Sequence, residues 1–595
     1  MTPANHKSLL MRGMEAHRDG DLAAAAAAYR DVLAADPDDV DATHYLGMIS
    51  YQRGDLPEAV GMLGEAVKAR PDDSAILANL GLVMLSAGRT RAAATALERS
   101  LQIHPDQPEA LVNLALTRIA QDNADAAADC YRRVLEITPG RRDARLALGQ
   151  LLVTARRYPA AQEVLDAGLA LDPTDSDMQI ARAQILELEG AVDEASSVYE
   201  RIAAESDSLR CRALTRLAAT LRKSGRPAAA LMAARSAAWS DTRNYAARHQ
   251  IGQALKELGW LEPAADAFRE SHTLFRSLGV TSTPELPTFT RTSRAKLRHD
   301  TEQIGYLLGH ELVESSVADI QDIYRNVMTT IPEGIPDGKT VLLPAPVRQR
   351  FAPFYNRCLH YRETPGMEGS TLNPELDCAA IQADYERRAP GITWVDDLLV
   401  PEALEALRAF CLESTIWYDF EHSNGYVGAY LQEGFNCPLL IQIAEELPRL
   451  LPAIFGDHVL MQMWAYKYDS KLAGIDMHAD FAAVNVNFWI TPSEANLDPG
   501  SGGLVLWDKE APAEWGIDDY NTYDPQRQQD IRDYLESNQA QRVVVPHRQN
   551  RCVIFNSDLF HKTDDIEFAE RYEDRRINIT LLYGTRDEGD RGRRS

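Results

Sequence analysis

Prolines recur at Pro37, Pro71, Pro105, Pro139 and Pro173, each 34 residues after the one before. Small residues keep the same beat at Gly47, Gly81, Ala115, Gly149 and Ala183, and after a one-residue slip at Ala218 and Gly252. A second glycine series runs Gly20, Gly54, Gly88, lapses at Asp122 and Arg156, and returns at Gly190, Gly225 and Gly259. This period is the length of a helix–turn–helix unit that cannot bury its apolar face alone and therefore stacks on its neighbours. In YLGMISYQRGDLPEAVGMLGEAVKARPDD, Gly47 and Ala59 admit close approach of two paired helices. The Arg-Gly-Asp at 53–55 breaks the first helix, and Pro71 follows the end of the second.

These features closely resemble the tetratricopeptide repeat family over residues 7–275, about eight units. The resemblance implies an all-α solenoid, assigned here to residues 1–275, whose concave groove takes an extended protein or peptide partner. No set of Lys and Asn positions stands out as a carboxylate clamp. The Ala-rich run at 23–29, Met62, Cys130, Tyr29, Tyr131 and Tyr199 read as packing.

At 595 residues the chain exceeds the ~250–300 at which single cores stop growing, so further domains are expected. Its net charge of −26 disfavours general binding to nucleic acid or an anionic membrane. Arg591, Arg593 and Arg594 form only a short basic tail, read as solvated. Seven cysteines without a CxxC pair exclude a zinc ribbon and point to a reducing compartment. With no signal-peptide pattern and no apolar run of about 18–20 residues, a soluble cytoplasmic protein is expected. Its partners are then a protein or peptide on the repeat groove, with no nucleic acid and no membrane, and with room for a homo-oligomer.

Past Leu274 the repeat fades, and the Thr- and Pro-rich segment 280–294 reads as a linker. Residues 276–389 carry accessory helices marked by Ile304, Leu307, Leu308, Ile320 and Ile323. Beyond Thr393 the apolar period changes to two. Strands are expected at 459–468, 482–491, 502–508, 541–547, 551–556 and 576–583, with helices at 401–413, 438–453 and 525–537. Antiparallel strands with few helices suggest a jelly-roll or cupin-like β-sandwich over residues 390–595.

In the run MHADF, His478 and Asp480 stand two apart, so an extended backbone aims both at one point. His561, in FNSDLFHKT, is the expected third ligand; two histidines and one carboxylate on one side of a metal make a facial triad. His547 is the rival third ligand, but its Pro-His-Arg setting reads as a turn. Arg576 opens RINITLLYG, whose alternation puts Ile577, Ile579, Leu581 and Tyr583 on one face and Arg576, Asn578 and Thr580 on the other. An inward arginine calls for an anion, and a carboxylate held by both arms of the guanidinium is its natural partner.

Together, His478, Asp480, His561 and Arg576 resemble the 2-oxoglutarate/Fe(II)-dependent oxygenase family and its prolyl-hydroxylase-like branch, a double-stranded β-helix fold. The resemblance covers residues 390–585, including VNVNFWIT and the Gly-Gly opening GGLVLWD. It implies that His478, Asp480 and His561 bind Fe(II) and that Arg576 binds the distal carboxylate of 2-oxoglutarate. It also implies that Tyr468 and Asn487 line the pocket and that O₂ is the oxidant. The glycine often found before the arginine is replaced here by Asp574 and Arg575, which raises the question of which arginine points inward, and the alternation favours Arg576. The implied enzyme is a dioxygenase that hydroxylates a protein substrate recruited by the repeats. An oxygenase of small metabolites and a non-catalytic repeat adaptor are the alternatives. The segment 508–540 is a long excursion, read as a substrate loop or a surface insertion.

Overall fold

The computed structural model describes residues 3–278, 286–329, 331, 334–343, 345–422, 424–472, 475–512, 514–522 and 524–585. The basic tail at 591–594 and the first part of the expected linker, 280–285, lie outside the described residues. The chain divides into two compact units, Met1–Glu205 and Ser206–Ser595.

Sixteen helices from Pro3–Arg18 to Leu261–Arg276 form eight consecutive pairs. The proline beat sets their starts: two residues after Pro37, Pro71 and Pro173, the side chains of Asp39, Asp73 and Asp175 cap the next helix. Between the paired helices Gly20, Gly54, Gly88, Gly190, Gly225 and Gly259 hold φ between +73° and +84°. Where the glycine series lapses the conformation persists, with Asp122 at φ +62° and Arg156 at +55°. The other small-residue series lies where helices touch: a Cβ on Gly81 would sit 2.4 Å from Leu97 Cγ, and one on Gly252 would sit 2.6 Å from the Phe268 ring.

The unit boundary falls at Glu205/Ser206 rather than near residue 275, where the repeat ends in sequence. The helix Leu261–Arg276 is bonded to the strand-bearing segment: Arg269 Nη1 donates to Asn436 O at 2.7 Å, His272 Nε2 lies 2.9 Å from Tyr418 Oη, and Arg276 Nη2 donates to Glu433 at 2.9 Å. These last repeats thus have polar partners outside the repeat pattern, which the 34-residue period does not reveal.

Nine strands in this unit build two main antiparallel sheets: β1 Ile392–Val395, β2 Val427–Tyr430, β3 Leu460–Lys467, β4 Val484–Trp489, β5 Leu504–Glu510, β6 Arg542–Val545, β7 Cys552–Asn556, β8 Leu559–Thr563 and β9 Ile577–Tyr583. The six-stranded sheet has the order β1-β7-β4-β9-β3-β2, and the three-stranded sheet β8-β5-β6. Ile392, Trp489, Val553 and Phe555 from the first sheet meet Leu504, Leu506, Val545 and Leu559 from the second in one buried cluster. Strands β1, β2 and β8 are absent from the sequence-based set. Strand β8 is the consequential one, because CVIFNSDLFHKT carries two strands that belong to different sheets. Among the described residues no helix is long and apolar enough to cross a membrane.

Candidate functional site

Strands β3, β9 and β4 lie side by side, and their register fixes which side chains share a face. Thr580 stands opposite Asn487 on one side and Trp464 on the other; Asn578 stands opposite Trp489 and Tyr466. Asn485, Asn487 and Trp489 of β4 therefore share one face with Asn578 and Thr580 of β9 and with Trp464 and Tyr466 of β3.

At the edge of that face, one ligand atom from each of His478, Asp480 and His561 lies within 4.8 Å of the others. Two backbone bonds lock the histidines together: His478 N donates to His561 O at 3.0 Å, and His561 N to His478 O at 2.8 Å. The β5–β8 register shifts between Leu559 and His561, an irregularity of the kind that re-aims a side chain. Both imidazoles engage Nδ1 with a carbonyl, His478 with Asp476 O at 2.8 Å and His561 with Leu559 O at 3.0 Å. An Nδ1–H held in this way leaves Nε2 free to face a metal.

His561 Nε2 lies 3.5 Å from Asp480 Oδ2, yet this is not an ordinary ion pair. Burial, reinforced by His478, holds His561 neutral by pushing its pKa well below the usual imidazole value. Burial likewise pushes the Asp480 carboxyl up, against the opposing pull of His478 and Asn485. Two imidazoles and a buried carboxyl group form a donor set suited to a divalent first-row metal, so the residues fit the implied iron. The second possible cluster, His6, Asp36 and Asp39, is more exposed, and Asp39 already accepts from His6 and from Ala42 N.

Asparagines continue inward from the carboxylate. Asn485 donates to Asp480 Oδ2 at 2.6 Å and Asn487 to Asn485 at 2.5 Å, while Asn578 and Thr580 donate to Asn487 Oδ1 at 2.8 and 2.9 Å. The Asn487 amide is thus engaged by protein partners on both its atoms. Arg576 stands beyond, fully buried. Its Nε donates to Gly502 O at 2.6 Å and its Nη2 reaches Gly503 O at 3.4 Å, while Nη1 has no hydrogen-bond partner. The Tyr468 ring lies 4.8 Å from the guanidinium carbon. Arg575 points elsewhere and pairs with Glu302, at 2.8 Å, and with Asp469, so Arg576 is the inward arginine. A guanidinium buried without a carboxylate and with one free arm fits an anionic ligand.

The expected turn follows His547 directly, at residues 549–550, but the His547 side chain itself is buried. The side chain packs on Trp489 and Phe568, with ring centroids 5.7 and 4.9 Å away, and is not part of the triad. The excursion 508–540 folds into the helices Ile517–Tyr520 and Pro525–Ser537, which brace the ligand loop. Tyr520 O accepts from Ala479 N at 3.0 Å, Gln528 donates to Met477 O at 2.7 Å, and Asn521 Nδ2 lies 3.4 Å from Asp480 Oδ1. Sequence reasoning missed Asn521, since no local pattern joins a residue 41 positions away to the carboxylate. A cleft of about 240 Å³ opens beside the triad, walled by Tyr426, Tyr430, Trp464 and Tyr466.

Tetratricopeptide repeat family models match residues 10–74, 84–151 and 118–185. The N-terminal region carries these repeats. No curated protein matches the chain. Among solved structures, a tetratricopeptide repeat protein from Parabacteroides merdae is 18% identical, with a TM-score of 0.32 over 42% of this chain and 98% of its own. The Pseudomonas aeruginosa protein PilF is 18% identical, with a TM-score of 0.30 over 33% of this chain and 90% of its own. YrrB, a repeat protein with an unusual peptide-binding site, is 19% identical, with a TM-score of 0.27 over 31% of this chain and 96% of its own. At such scores the likenesses carry no functional argument.

Proposed function

We propose that the strand-bearing segment is a 2-oxoglutarate- and Fe(II)-dependent dioxygenase of the double-stranded β-helix type. In this reading it hydroxylates a protein or peptide brought to it by the repeats. The observation that carries the proposal is the pairing of the His478, Asp480 and His561 cluster with the unpartnered buried arm of Arg576, across one sheet face. A metal bound there together with 2-oxoglutarate supplies oxidation of a C–H bond by O₂, with the oxoacid converted to succinate and CO₂.

The protein's own contribution is positional. His478, Asp480 and His561 would hold the metal, and the cleft opens beside them. Their tautomers and orientation are set by Asp476 O, Leu559 O and Asn485. Arg576 anchors the far carboxylate of the oxoacid and so fixes its reach toward the metal. Tyr426, Tyr430, Trp464 and Tyr466 wall the cleft where substrate enters and keep water from the reacting carbon. The repeats contribute substrate affinity and local concentration.

Aerobic incubation of the full chain with Fe(II), 2-oxoglutarate and cell extract should add one oxygen atom to particular proteins and form succinate. His478→Ala should do neither, and equal products from both proteins would refute the reading. Truncation belongs at Glu205 and not at residue 275, because the later cut removes helices bonded to the strand-bearing segment. Loss of protein hydroxylation in the truncated chain, with succinate formation on small substrates retained, supports recruitment by the repeats. The second reading, a non-catalytic repeat adaptor, is favoured by the family matches, all of which fall within residues 10–185. It predicts partner capture that His478→Ala leaves unchanged and no succinate at all.

A further inference from the structure

The corner around Arg576 holds more unsatisfied polarity than one guanidinium arm. His547 is buried, only 5% exposed, and neither ring nitrogen has a hydrogen-bond partner. Trp489, fully buried, has an unpartnered Nε1, and its ring lies 5.7 Å both from the His547 ring and from the guanidinium carbon of Arg576. Each buried polar group left without a partner costs roughly 1–3 kcal/mol. Three of them in one corner are therefore costly unless a ligand satisfies them.

The backbone fixes this arrangement. The segment carrying His547 lies directly on Gly503: a Cβ there would sit 1.9 Å from Val545 O and 2.8 Å from His547 N. His547 N donates to Ser501 O at 3.1 Å. The next two carbonyls, Gly502 O and Gly503 O, face the Arg576 guanidinium. The glycine pair thus clamps the imidazole and the guanidinium onto one short stretch of chain. Arg576 has no ion pair among the described residues. Tyr468 is the neighbour that acts on it most strongly, through a side-chain hydrogen bond, while Asp564 acts more weakly and lies 4.0 Å from Arg542.

We propose that His547 is a positioning residue which, beside Arg576, donates a hydrogen bond to the far carboxylate of the 2-oxoacid, with Trp489 Nε1 completing the corner. The inference rests on the reading above and deepens it. It assigns to a histidine outside the metal cluster the selection of dicarboxylic over monocarboxylic oxoacids. The neutral imidazole donates from one nitrogen, so binding requires no change in its protonation. His547→Phe keeps an aromatic ring against Trp489 and Phe568 and removes the donor, whereas His547→Gln retains one.

The test uses the full chain loaded with Mn(II) in place of the oxidisable metal, titrated calorimetrically with 2-oxoglutarate. A second titration uses 2-oxopentanoate, which has the same chain length and lacks the far carboxylate. A hydrogen bond to a charged group is worth about 1.5–3 kcal/mol, so His547→Phe should weaken 2-oxoglutarate by roughly 10- to 100-fold. 2-Oxopentanoate should bind the variant and the wild type alike, and His547→Gln should recover part of the loss. If the Phe variant does not fold, His547→Leu is expected to lose the same discrimination. Wild-type affinity for 2-oxoglutarate in a folded Phe or Leu variant, with binding lost in Arg576→Ala, would overturn the role of His547 and leave the oxygenase reading standing. A wild-type chain that binds Mn(II) but no 2-oxoglutarate would overturn both.

Discussion

In the repeats, polar side chains bond to neighbours about one unit away, whereas on the inner face of the six-stranded sheet they converge on one place. Asn79 bonds His44, Arg142 bonds Asp175, and Ser100 donates to Ser74 O. The unpartnered buried atoms of the first unit, Tyr29 Oη, Arg182 Nη1 and Ser196 Oγ, are scattered along it. The second unit has scattered orphans too, such as Arg248 Nε and His299 Nε2. But there Arg576 Nη1, Trp489 Nε1 and both nitrogens of His547 also share one corner, on the sheet face along which Asn578, Asn487 and Asn485 run to Asp480. Scattered orphans are the ordinary cost of packing; a cluster of them marks a place shaped for a ligand.

Acid should break this comparison most strongly. All eight tryptophans lie at or beyond Trp239, so their fluorescence follows the second unit alone. Burial, followed by a nearby arginine, lowers the pKa of His272 and of His547 to about 3. A depressed folded-state value means that the unfolded chain takes up these protons first. The stability these groups contribute is complete above about pH 6.5 and is lost as the pH falls toward 3. The loss at His272 is of order 4 kcal/mol. Denaturation followed by tryptophan fluorescence should therefore weaken through this window, and His272→Phe should flatten the slope. A slope unchanged by that substitution would count against a neutral buried His272.

Within the repeats, Gly81→Val places its side chain against Leu97 and should cost about 1–3 kcal/mol. Helicity measured by circular dichroism should show this loss while tryptophan fluorescence does not, since the damage stays with neighbouring repeats. At the site, Asn521→Ala removes a support of Asp480 and should weaken metal binding by roughly tenfold with little change in melting temperature. A purely structural role would shift the melting temperature and leave the metal affinity alone. The smallest effect goes the other way. Arg156→Gly relieves a left-handed backbone at φ +55° and should stabilise the first unit by up to about 1 kcal/mol.

The repeats were legible because their information is local and repeated: proline, capping aspartate and glycine each mark one turn, and the same turn recurs. The period says nothing of the far end, where Arg269, His272 and Arg276 find partners beyond residue 350 that no spacing encodes. In the second unit alternation located β3, β4, β5, β6, β7 and β9, because half-buried strands write their faces into the sequence. It missed β8, a short strand that follows β7 after a two-residue turn and carries His561 in another sheet. The i, i+2 placement of His478 and Asp480 and the inward phase of Arg576 were readable from spacing. The choice between Arg575 and Arg576 was settled by Glu302 and Asp469, long-range partners of the outward residue. His547 and Asn521 could not be found from the sequence, because what distinguishes them is the company they keep after folding.

The central claim is that one sheet face joins a metal site to an anchor for a dicarboxylic oxoacid. The most direct measurement is an anaerobic calorimetric titration of 2-oxoglutarate into the full chain with and without Fe(II). The account predicts one saturable site that requires the metal, lost when His478→Ala removes a ligand and weakened when Arg576→Ala removes the anchor. Metal-independent binding, or binding that survives both substitutions, would contradict it.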